Sequence, residues 1–527
     1  MMKNILFKPL RHTREILVWF FILVVIISTR VLLEGLLEAD KKLIPLNISF
    51  KYSIFFFTMF FSILLLLRVV AGKPLSLLIK PLVLGFIVII MVPSLDYLFS
   101  GGKGFFLAYP NAPPLKVLKT YPTLMLKITG VSPGIRVEMI VAILGSFFFG
   151  IFGWKLKPLH AIGISVGIYT IIFITGMYTS VITYLSKPSR EILSQGVPRV
   201  YAFTPPMETR YLLFMGAELF ILGILEWKKK LIRFVSLVKF SRLVFYTMMP
   251  LFGIILAWKC APNMSQNIRS ISVTRFGVRN IPVDEIPVRI LLTLISTAAA
   301  FVFAQMLNDR FDRKTDKINS QKNFFNQEEI EFRLLWVFGG VCGIWAVLSC
   351  LSMGVVPFIF LGCALLGSAV YSVSPIRLKK LPLVSSLLLS GVCISLIFYG
   401  FCFVPDFYLF KIFPKDLYLI ILVCLPLGIQ IKDIRDIRGD RACKIGTIPA
   451  LLGERRGAFG GAILGMCGFI IAGFLIGTTL SILAGIMIGM LLFILALKSY
   501  YALAGNLAIP AFALMSIIYL WNIVPPV

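Results

Sequence analysis

Long apolar stretches recur along the whole of this 527-residue chain, and they constrain its fold more than any other feature. Hydrophobic residues make up 58% of the sequence and charged residues only 14%, whereas about 25% of the residues in a soluble globular protein are charged. Stretches of about 20 apolar residues cross a bilayer as helices, because lipid leaves the backbone to satisfy its own hydrogen bonds. The sequence therefore predicts an all-α polytopic membrane protein.

The apolar stretches predict about fifteen transmembrane helices, each close to the length that a bilayer requires. A basic segment near residues 226–242 separates about six helices in residues 1–230 from a nine-helix part in residues 231–527. Two of the predicted helices, the third at Leu82–Leu98 and the sixth at Tyr211–Leu225, are short or interrupted. We predict two domains with this boundary.

Basic residues dominate the charge of the chain, which carries a net charge of +28. They lie between the apolar stretches, as the positive-inside rule and anionic lipid headgroups favour, and no nucleic-acid-binding motif accompanies them. With a cytoplasmic N-terminus, the basic loops follow the even-numbered helices. We therefore expect an integral protein of a prokaryotic cell membrane, with its C-terminus outside, the lipid bilayer as partner and no nucleic acid bound.

Histidine and cysteine do not explain the function of this chain. There are two histidines, His12 and His160, and both are remote in sequence from the acidic residues described next. The nine cysteines include no Cys-X-X-Cys pair. The sequence therefore indicates neither a zinc site nor a disulfide framework.

Two short stretches contain six of the eleven aspartates of the chain, and each follows a long apolar segment. Oxygen-bearing side chains recur at i, i+4 and i+8 in the first stretch and at i, i+3 and i+7 in the second, which places each set on one face of a helix. These residues are Asn308, Asp312 and Asp316 in the first stretch and Asp433, Asp436 and Asp440 in the second. The stretches follow the predicted eighth and twelfth helices, so we expect both on the cytoplasmic side.

Carboxylates this close together have to be neutralised, since two unit charges ~4 Å apart repel by about 4 kcal/mol at an effective dielectric constant of about 20. We expect Mg²⁺ between the stretches, because it prefers oxygen ligands and keeps coordination positions for a substrate phosphate. Such ions would stabilise a departing diphosphate. The residues also allow a structural interpretation, in which Asp309 and Asp433 are solvated or capping residues and the neighbouring arginines form plain ion pairs.

A basic segment, Tyr371–Lys380, lies between the two aspartate stretches. Pro375 ends the predicted tenth helix, which leaves Arg377 and Lys379 on the same side of the membrane as the aspartates. These two side chains suit a diphosphate, while the ring of Tyr371 suits an allylic cation. Anchoring by the positive-inside rule and an interfacial aromatic are the alternative interpretations.

The chain contains three motifs: Asn-Asp-X-X-Asp-X-X-X-Asp at 308–316, Tyr-Ser-X-X-Pro-X-Arg-X-Lys at 371–379 and Lys-Asp-X-X-Asp-X-X-Gly-Asp at 432–440. Together they resemble the UbiA superfamily of intramembrane prenyltransferases, as does the segment from Lys444 to Pro449. The resemblance covers roughly residues 235–527. It implies a nine-helix UbiA-like bundle with aspartate motifs after its second and sixth helices, and it leaves residues 1–230 outside.

The resemblance also implies residue roles. The metal ligands would be Asn308, Asp312, Asp316, Asp436 and Asp440, assisted by Asp309 and Asp433. The diphosphate would be held by Arg377, Lys379 and Lys444, and the catalytic residues would be Asp312, Asp436 and Tyr371. One departure bears on the substrate: the first motif continues as Lys317–Asn323, without the Asn-Pro or Arg-Pro found in many members. This weakens any transfer of substrate from the quinone-pathway members.

We therefore predict Mg²⁺-dependent transfer of a prenyl group from a prenyl diphosphate to an aromatic or lipophilic acceptor within the membrane. Two alternatives stay open at this point. One is phosphoribosyl transfer to a polyprenyl phosphate on the same fold, and the other is non-enzymatic transport of lipid or ions. The sequence identifies neither the acceptor, the general base nor the oligomeric state, and no motif assigns a role to residues 1–230.

Overall fold

The computed structural model describes residues 2–37, 46–102, 115, 118, 119, 132–185, 207–260, 286–326, 330–402 and 413–523. Every regular element within these ranges is helical, which confirms the predicted all-α class. The chain divides into two compact units, Met1–Lys228 and Lys229–Val527.

The first unit contains six helices, and a seventh crosses its boundary with the second unit. These are α1 (Met2–Leu37), α2 (Leu46–Ala71), α3 (Leu75–Phe86), α4 (Val88–Phe99), α5 (Pro133–Phe148, extended by a π-helical turn at Phe149–Gly153), α6 (Pro158–Leu185) and the boundary helix α7 (Met207–Leu237).

The second unit continues with longer helices that alternate with short ones near the aspartate stretches. These are α8 (Phe240–Cys260), α9 (Ile286–Phe311), α10 (Arg313–Ile318), α11 (Phe332–Met353), α12 (Val355–Ser372), α13 (Val384–Phe401), α14 (Lys415–Leu419), α15 (Leu425–Ile434), α16 (Ile437–Ala442), α17 (Ile448–Leu452), α18 (Glu454–Ile476), α19 (Thr479–Leu497) and α20 (Tyr501–Asn522). A π-helical turn, Ile420–Cys424, joins α14 to α15.

Fourteen segments of the described residues are long and apolar enough to cross a membrane, five before α7 and nine after it. The chain is therefore an integral membrane protein, and the predicted nine-helix part is confirmed. The third predicted crossing is longer than expected, because α3 and α4 together form the segment Leu75–Phe99. The orientation of these helices across the membrane stays a prediction.

Helix α7 contains the sixth predicted crossing, but it is not one of the fourteen segments. Its apolar part is bounded by Arg210 and Glu226 and interrupted by Glu218, so it is shorter than the ~20 residues that a bilayer requires. Its backbone also leaves helical geometry at Trp227, with φ −132° and ψ 35°. The described residues thus give fourteen candidate crossings, in agreement with the predicted total of about fifteen.

Ionisable side chains inside the first unit have partners on neighbouring helices. The backbone N–H of Gly134 donates to Asp96 Oδ1 at 2.6 Å, and Asp96 is fully buried. The hydroxyl of Ser62 donates to Glu218. These contacts tie α4 to α5 and α2 to α7.

Helices α8 and α13 of the second unit approach so closely that glycine is required where they cross. A Cβ atom added at Gly400 would lie 1.9 Å from the carbonyl oxygen of Pro250, and one added at Gly253 would lie 2.0 Å from that of Ile397. Small residues permit such contacts between helices in a membrane, where close packing stabilises the bundle. This contact fixes α8 against α13, and both helices wall the cavity described below.

Substitution of Gly400 by Ala tests this contact. We expect a loss of about 1–3 kcal/mol of stability, because a methyl group cannot fit without moving backbone. Thermal unfolding of the purified protein in detergent measures it. Gly391→Ala on the same helix is the matched control, since an added Cβ meets nothing within 4 Å there. Equal unfolding temperatures for the two variants would contradict the close contact.

Candidate active site

The first aspartate stretch lies where a long helix breaks. Helix α9 ends at Phe311 and the short helix α10 begins at Arg313, with Asp312 between them. The backbone hydrogen bonds nevertheless continue at four-residue spacing, from Asp312 N to Asn308 O at 2.9 Å and from Asp316 N to Asp312 O at 2.8 Å. The predicted single helix is therefore two helices, and the i, i+4 pairing of the three residues survives the break.

The second stretch is built in the same way. Helix α15 ends at Ile434, and α16 begins at Ile437 directly after Asp436. The N–H of Asp436 donates to the carbonyl of Asp433 at 3.1 Å, and the N–H of Asp440 donates to that of Asp436 at 2.9 Å. In both stretches a central aspartate with non-helical backbone angles lies directly before a short helix that follows a membrane-crossing one.

Both stretches face one cavity, whose empty space is about 1130 Å³ including its open mouth. Its polar end has five carboxylates and four basic side chains among the described residues. The carboxylates are Asp312, Asp316, Asp433, Asp436 and Asp440, and the basic residues are Lys239, Arg242, Lys379 and Lys432. The structure thus brings together two stretches that lie more than a hundred residues apart in the sequence and lets the basic segment between them contribute.

The other end of the cavity is apolar. Helix α9 contributes Ala300 and Phe301, which lie about 12 Å along the helix from Asn308 at 1.5 Å per residue. Helix α12 contributes Leu361 and Leu365 before it reaches Tyr371. The remaining apolar wall includes Leu389, Val392 and Leu396 of α13. The cavity therefore suits a ligand with an anionic head and a long apolar tail.

Arg377 and Lys379 converge on Asp312. Arg377 Nη2 donates to Asp312 Oδ1 at 2.7 Å, and Lys379 Nζ donates to Asp312 Oδ2 at 2.5 Å. Burial alone would raise the pKa of Asp312, but Lys379 and Arg377 outweigh it and hold the pKa below its ordinary value. Burial likewise opposes the charge of Lys379, yet Asp312 raises the pKa of this amine above its ordinary value. Asp312 and Lys379 are therefore both charged near neutral pH.

Lys239, which the sequence reasoning missed, serves the first stretch. Its Nζ lies 2.7 Å from Asp309 Oδ1 and 3.7 Å from Asp316 Oδ2. Gln305 supports the arrangement, since its Oε1 accepts from the N–H of Lys239 and its Nε2 donates to Asp309 Oδ2. Burial raises the pKa of Asp316, and the attraction of Lys239 only partly offsets this effect. Asp309 thus holds a lysine at the edge of the cavity.

The second stretch has weaker partners. Gln321 Nε2 donates to Asp436, and Thr447 Oγ1 donates to Asp440 Oδ2 at 3.2 Å. Burial raises the pKa of Asp440 to about 7; Lys379 opposes this, and the neighbouring aspartates of the second stretch reinforce it. Asp440 therefore changes its protonation state near physiological pH.

Most residues predicted for the site meet at this cavity. Its lining includes Asn308, Asp312, Asp316, Tyr371, Lys379, Asp433, Asp436 and Asp440, and Arg377 contacts it through Asp312. Two predicted residues lie elsewhere: Asp309 is fully buried against Lys239, and Lys444 is exposed on the surface and does not line the cavity. The individual roles stay predictions.

Several lining residues were not found from the sequence. Lys239 and Arg242 belong to the basic segment at the domain boundary, where their charge looked like membrane anchoring. Tyr246, which stacks on Phe301 with ring centroids 5.5 Å apart, lies in an apolar stretch without distinguishing spacing. These basic residues lie close to the aspartates only in the folded protein, so the sequence contained no signal that would have identified them.

The donor set at the polar end fits Mg²⁺. The oxygens are those of carboxylates, an amide and hydroxyls, which this ion prefers. No three acidic, histidine or cysteine side chains of the described residues converge on one point to hold a metal ion. Mg²⁺ is commonly held by one or two carboxylates together with water and substrate phosphate. Asn308, Asp312 and Asp316 could hold it on one wall, and Asp436 and Asp440 on the other.

Comparison with known proteins agrees with the predicted resemblance. The sequence profile of the UbiA prenyltransferase family matches residues 281–523, so the resemblance is confirmed for that part of the chain. No curated protein matches the chain in sequence.

Two solved structures are similar to it, both of a UbiA homolog from Archaeoglobus fulgidus. One is bound to GPP and Mg²⁺ and is 15% identical, and the other is bound to DMAPP and Mg²⁺ and is 14% identical. In each case the match covers 55% of this chain and 97% of the other, with a TM-score of 0.36.

Asp309→Asn tests whether Asp309 acts through Lys239. We expect a loss of about 3–5 kcal/mol of stability, because removing one partner leaves the other charge buried and poorly compensated. Thermal unfolding in detergent measures this loss, and adding Lys239→Met should restore part of it. Glu454→Gln is the control, since its partner Arg438 is exposed and such pairs contribute little. If Asp309→Asn is no less stable than the control variant, the assignment is wrong.

Proposed function

We propose that residues 229–527 form a Mg²⁺-dependent intramembrane prenyltransferase, which transfers a prenyl group from a prenyl diphosphate to a lipophilic or aromatic acceptor. The observation that supports this most is the cavity with two unlike ends: carboxylates and basic side chains at one, apolar side chains at the other. A prenyl diphosphate has the same division between an anionic head and an apolar chain. The match of residues 281–523 to the UbiA prenyltransferase family supports the same chemistry.

The polar end is suited to exchange its ion-pair partners when the donor enters. Arg377 and Lys379 form ion pairs with Asp312, and Lys239 forms ion pairs with Asp309 and Asp316. A diphosphate attracts Arg377 and Lys379 more strongly, Arg as a planar fork and Lys as a point charge. Their movement to the phosphates frees Asp312 to bind a cation. Lys239, Arg242 and Lys432 add positive charge around the same head group.

Magnesium, when bound, adds positive charge that stabilises the diphosphate as it leaves. The chain's own part is to hold that head group in place and to keep water from the reacting carbon. The apolar wall formed by α9, α12 and α13 receives the prenyl chain and places its allylic carbon near Tyr371. The aromatic faces of Tyr371 and Tyr246, which both line the cavity, attract a cation by their ring quadrupoles.

The reaction balances without any further reactant. The allylic carbon–oxygen bond breaks, and diphosphate leaves with the electron pair. The acceptor then forms a bond to the allylic carbon and loses one proton. That proton passes to one of the oxygens at the polar end, either a carboxylate or a diphosphate oxygen. Burial of the cavity protects the cation from capture by water.

Substitution of the central aspartates tests the proposal. Asp312→Ala and Asp436→Ala should each lower product formation about 100-fold or more, because each removes a carboxylate that would hold the Mg²⁺ stabilising the departing diphosphate. Membranes given labelled prenyl diphosphate and candidate acceptors, followed by lipid extraction and mass spectrometry, measure the product. Glu454→Ala is the control, since this exposed residue lies outside the cavity, and it should retain parental activity.

The product itself decides between this proposal and its alternatives. A lipid that gains a prenyl group supports it, whereas a polyprenyl phosphate that gains a phosphoribosyl group would replace it with phosphoribosyl transfer. Metal-dependent movement of the donor across the membrane without bond cleavage would indicate a transporter. Undiminished prenyl product from Asp312→Ala and Asp436→Ala would overturn the assigned site.

The pKa of Asp440 predicts how metal binding depends on pH. Because this pKa is about 7, the carboxyl is mainly protonated at pH 6 and mainly ionised at pH 8. Only the ionised form binds a metal, so Mg²⁺ affinity should rise about tenfold from pH 6 to pH 8, and binding should release a proton. Calorimetric titration with Mg²⁺ in detergent measures both. Asp440→Asn should remove most of this dependence, and an unchanged pH profile in that variant would contradict it.

A further inference from the structure

The segment that follows the first aspartate stretch connects it to the second. Asn319 lies just beyond α10, and its Oδ1 accepts from the backbone N–H of Gly439 at 2.9 Å. Its Nδ2 donates to the backbone carbonyl of Asp436 at 3.4 Å. One amide side chain thus contacts the short helix α16 through both of its polar atoms.

Gln321 makes a second and more direct connection. Its backbone N–H donates to the carbonyl of Asp316 at 2.8 Å, while its side-chain Nε2 donates to Asp436 Oδ1. The same side chain lines the cavity. Gln321 therefore joins an aspartate of the first stretch to the central aspartate of the second, and it orients the carboxylate of the latter.

Asn323 anchors the segment at its far end. It is fully buried, and its Nδ2 donates to Asp316 Oδ2 at 2.8 Å and to the carbonyl of Asp309 at 2.7 Å. Its Oδ1 accepts from the N–H of Phe325 at 2.8 Å. The backbone of the segment is therefore fixed to the first stretch, so the side chains of Asn319 and Gln321 reach the second stretch from a fixed base.

Gly439 shows how close the two halves lie. A Cβ atom added there would lie 2.4 Å from Asn319 Nδ2 and 2.6 Å from its Oδ1. Any larger residue at this position would displace the amide that bridges the two short helices. The glycine and the asparagine therefore form a complementary pair across the two stretches.

We infer that Asn319 and Gln321 are positioning residues that set the separation of the two aspartate stretches and the orientation of Asp436. This inference rests on the proposed function, in which both stretches engage one metal–diphosphate group. The partners that orient metal ligands commonly affect metal affinity by about 10- to 100-fold.

Gln321→Met tests the inference, because methionine keeps the length of the side chain and loses the hydrogen bond to Asp436. The purified full-length protein is titrated with Mg²⁺ at a fixed concentration of inorganic diphosphate, and thermal stabilisation gives the Mg²⁺ concentration for half-maximal effect. We expect this concentration to rise about tenfold, with the unfolding temperature in the absence of Mg²⁺ unchanged. The control is Asn326→Leu, whose amide contacts only Arg313 among the described residues, and it should match the parent.

A second pair of variants tests the bridge independently of Gln321. Gly439→Ala should raise the Mg²⁺ requirement by pushing Asn319 away, and Asn319→Ala should raise it by removing the same contacts. Because both act on one interaction, the double variant should be no worse than the more severe single one. Full additivity of the two effects would overturn the inference.

Failure of the proposed function and failure of the positioning role of Gln321 can be distinguished. A parent protein that shows no stabilisation by Mg²⁺ and diphosphate, and forms no prenyl product, contradicts the proposed function. A parent that responds normally, together with a Gln321→Met protein whose Mg²⁺ requirement equals that of Asn326→Leu, contradicts only the positioning role.

Discussion

Neutralisation of carboxylates at the polar end of the cavity is the constraint on which the rest of the structure depends. Five of them face a space bounded by membrane-crossing helices, where unpaired charge is costly. The chain meets this cost with its own cations, since Lys379 and Arg377 pair with Asp312 and Lys239 pairs with Asp316. The same cations become available for phosphate when a donor enters.

The two aspartate stretches are far apart in the sequence and have to be held together in the fold. Each aspartate stretch spans a helix break, at which a membrane-crossing helix gives way to a short one, and carboxylates from both stretches line the cavity. The breaks alone would leave the two halves free to move apart. Amide side chains of Asn319 and Gln321 join them without adding charge, whereas a further lysine or carboxylate there would disturb the balance.

Features that depend on residues close together in the sequence were predicted correctly. Apolar stretches identified the crossings, and helical spacing identified the facing residues of both aspartate stretches. The break before Arg313 escaped prediction, because the i, i+4 spacing is the same with or without it. Lys239 and Asp309 are 70 residues apart and Asn319 and Gly439 are 120 apart, so no spacing rule joins them. The predicted sixth crossing is not among the fourteen segments, because charged residues shorten its apolar run.

The central claim is that both aspartate stretches hold one diphosphate while the prenyl chain lies along the apolar wall. An electron cryo-microscopy map of the protein with Mg²⁺ and a non-hydrolysable prenyl thiolodiphosphate tests it most directly. The account predicts density for the two phosphates between Asp312 and Asp436, in contact with Lys379, and continuous density for the chain towards Leu361 and Leu396. Phosphate density remote from either aspartate, or a chain directed away from that wall, would contradict it.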